Sequence, residues 1–183
     1  MTRSPAIIRQ LALLIFALMM AIAILTPILP SVVADGAAPR VELSPDDPGP
    51  RPIEQLTSQV ITRDYAYAWQ TMAEALERNQ GNLLDGFFTG WAKENLSNLI
   101  AEQKRTGIHT RYVDHGHKLV ELFYSPAGDA MQLRDRAQLE MQVFDGQKLI
   151  DSEQVTLQYV VLMTPGADRW LVRDLESVPE AEH

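Results

Sequence analysis

The chain has 183 residues, a formal net charge of -8 at pH 7 and a pI near 4.9. That balance argues against a nucleic-acid surface, which needs clustered lysine and arginine to neutralise phosphates. With no cysteine, disulfides, thiolate catalysis, zinc–thiolate sites and a lipidated N-terminal cysteine are excluded, and the core alone must hold the fold.

The first element is apolar. Arg3 and Arg9 precede it and no acid appears before Asp35, the asymmetry that keeps an N-terminus cytoplasmic and sends the downstream chain across a membrane. Leu11 to Leu25 is apolar throughout. Its roughly 15 residues give about 22 Å of helix, short of a ~30 Å hydrocarbon core. Extension to Val33 gives roughly 34 Å, enough to span. Val32, Val33 and Ala34 also form a small-residue site of the kind signal peptidases accept, just after the helix-breaking Pro30. Residues 1–34 are therefore expected to be a transmembrane anchor or a signal peptide. Both readings put the remainder outside the cytoplasm, as a single-pass membrane protein or a periplasmic or secreted one.

Residues 35–52 form a spacer, with Pro39, Pro45, Pro48, Pro50 and Pro52 among glycines and acids. Such a segment buries little apolar surface and favours extended polyproline geometry. A folded domain is expected over 53–179, with a short tail at 180–183.

From Ile53 the apolar residues Leu56, Val60, Tyr67, Ala68, Met72, Ala75 and Leu76 recur at three- and four-residue steps, predicting a long helix. Gly81 is the expected left-handed cap. Leu83 to Ile100 then predicts one or two shorter helices, broken around Gly86 or Gly90 and ending at "KRTG" with Gly107 past the end.

Beyond Gly107 the period becomes two. "HKLVELFYS" reads as a strand and "PAGD" as a turn, while "HTRYVD" reads as an additional strand or edge segment. "MQLRDRAQLEMQVF" alternates apolar and polar residues, "DG" at Asp145 marks a hairpin, and Glu153 to Met163 and "RWLVRDLE" complete the set. Helices first and a curved antiparallel sheet second is an α+β arrangement, here preceded by one N-terminal hydrophobic helix.

This order, with "AYAWQTMAEAL" and "LLDGFFTG" opening the helical half and "DRWLVRDLE" closing the sheet, resembles the nuclear transport factor 2-like superfamily over roughly Ile53 to Pro179. The resemblance implies a cone-shaped α+β fold. That superfamily includes isomerases and dehydratases with a pocket between helices and sheet, and membrane-anchored members whose domain is an interaction module. Anchor, spacer and cone look most like the latter, so the expected role is a protein-binding or assembly module of the cell envelope. The alternative is an exported enzyme or small-ligand-binding protein.

Asp135 falls in phase with the apolar face of its strand, between Leu133 and Ala137. A carboxylate buried there must be paired, protonated or at the rim of a water-filled pocket. An arginine on the first helix or a neighbouring strand is one expected partner. Asp64 lies in the same angular sector of the first helix as Val60 and Tyr67, so the two acids are expected to meet across the cone, or Asp64 to mark where the helix emerges to solvent. Asp135, Asp64, Tyr67 and Trp91 form the candidate ligand-binding set. "DHGH" at Asp114 to His117 places two imidazoles on one face if extended, but no third and fourth metal ligand declares itself. No metal or cofactor is expected, and serine elbows, phosphate-binding glycine loops and HExxH sequences are absent. "LVELFY" is apolar on both faces, which points to a covering protein or a homodimer through the sheet face.

Overall fold

The computed structural model describes residues 38–44 and 51–179. The N-terminal apolar run and the tail lie outside the described residues. Among those described, no helix is long and apolar enough to cross a membrane.

Two helices and a connecting 3₁₀ turn pack on one face of a mixed sheet of five strands, ordered β1-β2-β3-β4-β5. The elements are β1 (Val41–Leu43), α1 (Gln55–Arg78), the 3₁₀ turn Gly81–Gly86, α2 (Gly90–Thr106), β2 (Ile108–Tyr124), β3 (Met131–Asp145), β4 (Lys148–Pro165) and β5 (Trp170–Val178). The α+β class holds, consistent with the expected cone. The sheet is not wholly antiparallel, because β1 joins β2 in parallel, with Val41 opposite His117 and Leu43 opposite Leu119. This strand falls inside the expected spacer. Its three residues gain a ladder with β2 that polyproline geometry could not provide, and Val41 and Leu43 pack against the core.

The first helix ends earlier than Gly81. Asn79 takes the left-handed conformation at φ 52°, and the following amide, Gln80 N–H, donates to Ala75 O at 2.9 Å. Asparagine suits the position because its side chain is used as well. Asn79 Nδ2 donates to Ile108 O at 3.0 Å and Asn79 Oδ1 accepts from Gln103 Nε2 at 3.2 Å, tying both helix ends to the start of β2.

Gly90 opens α2 at φ 54°, and a Cβ there would lie 3.0 Å from Arg173 Cγ and 3.1 Å from Arg173 O. Backbone sign and close approach both demand glycine. Gly90→Ala is expected to destabilise the domain by about 1–2 kcal/mol. An unshifted midpoint in denaturant unfolding would show that the turn tolerates a side chain.

"HTRYVD" is part of one long β2, interrupted by register shifts between Asp114 and Gly116 and between Glu121 and Phe123. Each shift reverses which residues face the helices. Asp114 leads to His117, Leu119 and Glu121 inside, and then Tyr124 inside with Phe123 outside. Within "LVELFY" Leu119, Glu121 and Tyr124 are buried, while Phe123 is exposed. On the outer face Arg134 lies between Val120 and Val160.

The core fills the space between α1 and the sheet with Ile61, Tyr65, Trp69, Met72, Leu76, Leu119, Leu133, Leu139, Val161 and Met163, all buried.

Candidate functional site

The inner face of the sheet carries a polar chain of four side chains. Asp135 is fully buried, at 0% exposure, on the middle strand β3. Its Oδ2 accepts from Tyr65 Oη of α1 at 2.8 Å and lies 2.7 Å from His117 Nδ1 of β2. His117 Nε2 lies 2.6 Å from Asp114 Oδ2. Asp114 Oδ1 accepts from Gly116 N–H at 2.7 Å, which holds the bulge that turns His117 inward. Only Asp114 reaches solvent; Tyr65, His117 and Asp135 are sealed.

The charge state is set by these contacts. Burial alone lowers the imidazole pKa, but hydrogen bonds and charge from Asp114 and Asp135 outweigh it and raise His117 to about 9. His117 is thus an imidazolium at neutral pH and donates from both ring nitrogens. Burial first, and then the Asp135 charge, push the Tyr65 hydroxyl well above its ordinary value, so it stays a donor. Burial also raises Tyr112, to about 12, and raises Tyr159. Asp135 Oδ1 has no hydrogen-bond partner among the described residues.

Such a chain can hold a proton, and among the described residues aromatic rings pack closely around it. The Trp69 ring lies 4.4 Å from the His117 ring and 5.6 Å from that of Tyr159. The gap beneath α1 lined by Tyr65, Ala68, Trp69, Met72, Phe88, Val172 and Leu175 is too small to admit a water molecule.

The four residues expected to bind a ligand are not brought together. Asp135 pairs with a histidine and a tyrosine in place of an arginine. Asp64 is buried, but its Oδ2 accepts from Trp170 N–H at 2.7 Å and its Oδ1 accepts from Arg63 Nε at 2.9 Å. It therefore fixes the start of β5 to α1, and neither faces Asp135 nor emerges to solvent. Tyr67 is 44% exposed, against Phe87 and beside an open groove of about 490 Å³ that also touches Val41, Leu43, Thr62 and Arg63. Trp91 is 66% exposed on α2.

The sequence does not single out His117 and Tyr65 for this role. Tyr65 adjoins the helix's apolar stripe, and His117 lies in a segment that reads as two equivalent imidazoles. The bulge at Gly116, with φ 134°, separates them: His117 goes in and His115 stays exposed. The available signal is Asp135 itself, since a buried carboxylate requires a buried donor. Among the described residues, no group of three or more histidine, aspartate and glutamate side chains has metal-site geometry.

No protein-family model matches the sequence, and no curated protein matches it. Among solved structures, the intermembrane space region of the chloroplast protein ARC6 is similar with a TM-score of 0.59 and 12% identity, covering 72% of this chain and 100% of that one. A putative dehydratase of the NTF2-like family from Streptomyces avermitilis gives 0.45 at 11% identity, covering 68% and 99%. ActVI-ORFA from Streptomyces coelicolor gives 0.43 at 11%, covering 63% and 92%. The last two are too distant to carry weight. The first is distant in sequence but shares the arrangement of helices and sheet, so the chain has the fold of that ARC6 region.

Proposed function

We propose that this chain is a membrane-anchored, extracytoplasmic domain that works by binding, as a protein-binding or assembly module of the cell envelope. The close packing around Asp135 and Tyr65 carries this reading. Asp135, the acid best placed for proton transfer, is saturated on one oxygen by Tyr65 and His117. The gap beside Tyr65 and Trp69 has no room for a substrate. An enzyme or small-ligand carrier built around Asp135 and Asp64 would need a chamber there, and would need Asp64 to face it.

The placement outside the cytoplasm draws on the sequence: Arg3 and Arg9 before the apolar run, and a proline-rich segment after it. The ARC6 region of the same fold is itself described as lying in an intermembrane space.

Fusion of alkaline phosphatase and of green fluorescent protein to the C-terminus tests the topology. Active phosphatase with a dark fluorescent fusion is expected; the opposite pattern would overturn the placement. Cross-linking in the native envelope should then yield discrete adducts with another protein, and their absence would count against a binding role.

A further inference from the structure

Among the described residues, half of β4 has a neighbour on one side only. β5 covers β4 from Gln158 to Pro165 and stops at Val178, opposite Gln158. From Lys148 to Leu157, β4 is bonded to β3 alone among the described residues. A row of backbone N–H and C=O groups is left facing solvent, and such an edge is a template for another strand. The fold closes other edges. Phe87 to Thr89 flank β5, with Thr89 N–H donating to Val172 O and Val172 N–H to Phe87 O, each at 2.9 Å. β1 covers part of β2. The β4 edge is left open, and its tip exposes Leu149 and Ile150 at 46% and 45%.

Its side chains describe the strand that fits. The register places Asp151 opposite Val143, Glu153 opposite Met141, Val155 opposite Leu139 and Leu157 opposite Ala137. One face of the edge therefore reads acid, acid, apolar, apolar at alternate positions. A second copy fits poorly. When two identical strands pair antiparallel within one sheet, residues of the same face oppose one another. Registers centred on Asp151, Ser152 or Glu153 then set acid against acid, which destabilises the pair. The net charge of -8 adds to the repulsion.

We infer that the Lys148–Leu157 edge of β4 is a strand-addition site for an extended segment of a partner protein, carrying two basic residues at alternate positions followed by apolar ones. This rests on the protein-binding reading above and names its surface and ligand chemistry. The partner's main chain completes the β4 ladder, its cations oppose Asp151 and Glu153, and its apolar residues continue the face of Val155 and Leu157.

The probes are two synthetic peptides, KTKTVTV and its reverse VTVTKTK, which serve parallel and antiparallel addition. They are titrated by fluorescence anisotropy against the full chain in detergent micelles. One order is expected to bind. Asp151→Lys combined with Glu153→Lys should weaken it about tenfold and create binding for the glutamate counterpart of the same peptide. N-methylation of alternate peptide amides, which keeps the charge and removes the donors, should abolish binding to the unaltered chain.

Several outcomes overturn the inference: neither order binds, affinity is indifferent to the charge reversal, binding survives N-methylation, or the unaltered chain dimerises with cross-links joining Gln154 to Gln154. The last makes the occupant a second copy. Native cross-links mapping to another face would sink the edge while leaving the protein-binding reading standing. A cytoplasmic C-terminus would sink the proposed placement without touching the peptide result.

Discussion

Asp135→Ala is expected to destabilise the domain by about 3–5 kcal/mol. The substitution leaves the His117 imidazolium with Asp114 as its one remaining anion, and leaves the Tyr65 hydroxyl buried without its acceptor. Either loss alone is costly, because a buried donor stripped of its partner forfeits its hydration without compensation. Asp135→Asn keeps an oxygen for Tyr65 and should cost less. The comparison is made by urea unfolding of the full chain in micelles, followed by tryptophan fluorescence, with Trp69 and Trp170 reporting from the core. If alanine left the midpoint unmoved, the polar chain would contribute nothing to folding, and the case for a structural Asp135 would fail.

Stability is expected to fall as pH rises from about 6.5 to about 9. His117 has a folded pKa raised from 6.5 to about 9. Below the unfolded value both states hold the proton, and the full stabilisation is present. Above it the unfolded chain releases the proton while the native state keeps it, so stability declines until the folded group also titrates near 9. The contribution lost is on the order of 3 kcal/mol. The groups facing the imidazole are Asp114 and Asp135 at its nitrogens, with Tyr65 and Trp69 against the ring. Burial holds the Tyr65 hydroxyl protonated through this range. Melting temperature measured from pH 6 to pH 10 should show the decline, and His117→Gln should flatten it. A slope as steep in the variant as in the unaltered chain would assign the effect elsewhere.

These two results bear on function as well as folding. An acid whose Oδ2 is tied to both Tyr65 and His117 and whose removal unfolds the domain contributes to the native state as a structural group, even with Oδ1 left without a partner among the described residues. Asp64 makes the same point from the other end of α1. It spans from the helix to the first amide of β5, and its role is to orient a strand.

Much of the architecture was legible in the residues themselves. The three- and four-residue steps announce α1, and the alternation from Met131 to Val143 places β3, because both periods are properties of the backbone. The helix's buried face was only partly read, since Leu56 and Tyr67 stand exposed while Ile61, Tyr65 and Trp69 point into the core. That Asp135 would be buried and need partners unless a bulge turned it outward could also be read from its position in that alternation, and the structure buries it.

What the tertiary structure decided was which groups meet. His117 reaches Asp135 because a bulge at Gly116 shifts β2 by a residue, and bulges depend on two strands at once. The parallel addition of β1, from a segment rich in proline, to β2, the separation of Asp64 from Asp135, and the open half of β4 were likewise invisible in any single stretch. Each is a relation between distant residues: local periodicity states which face a side chain takes, and only the packed chain states what stands opposite it.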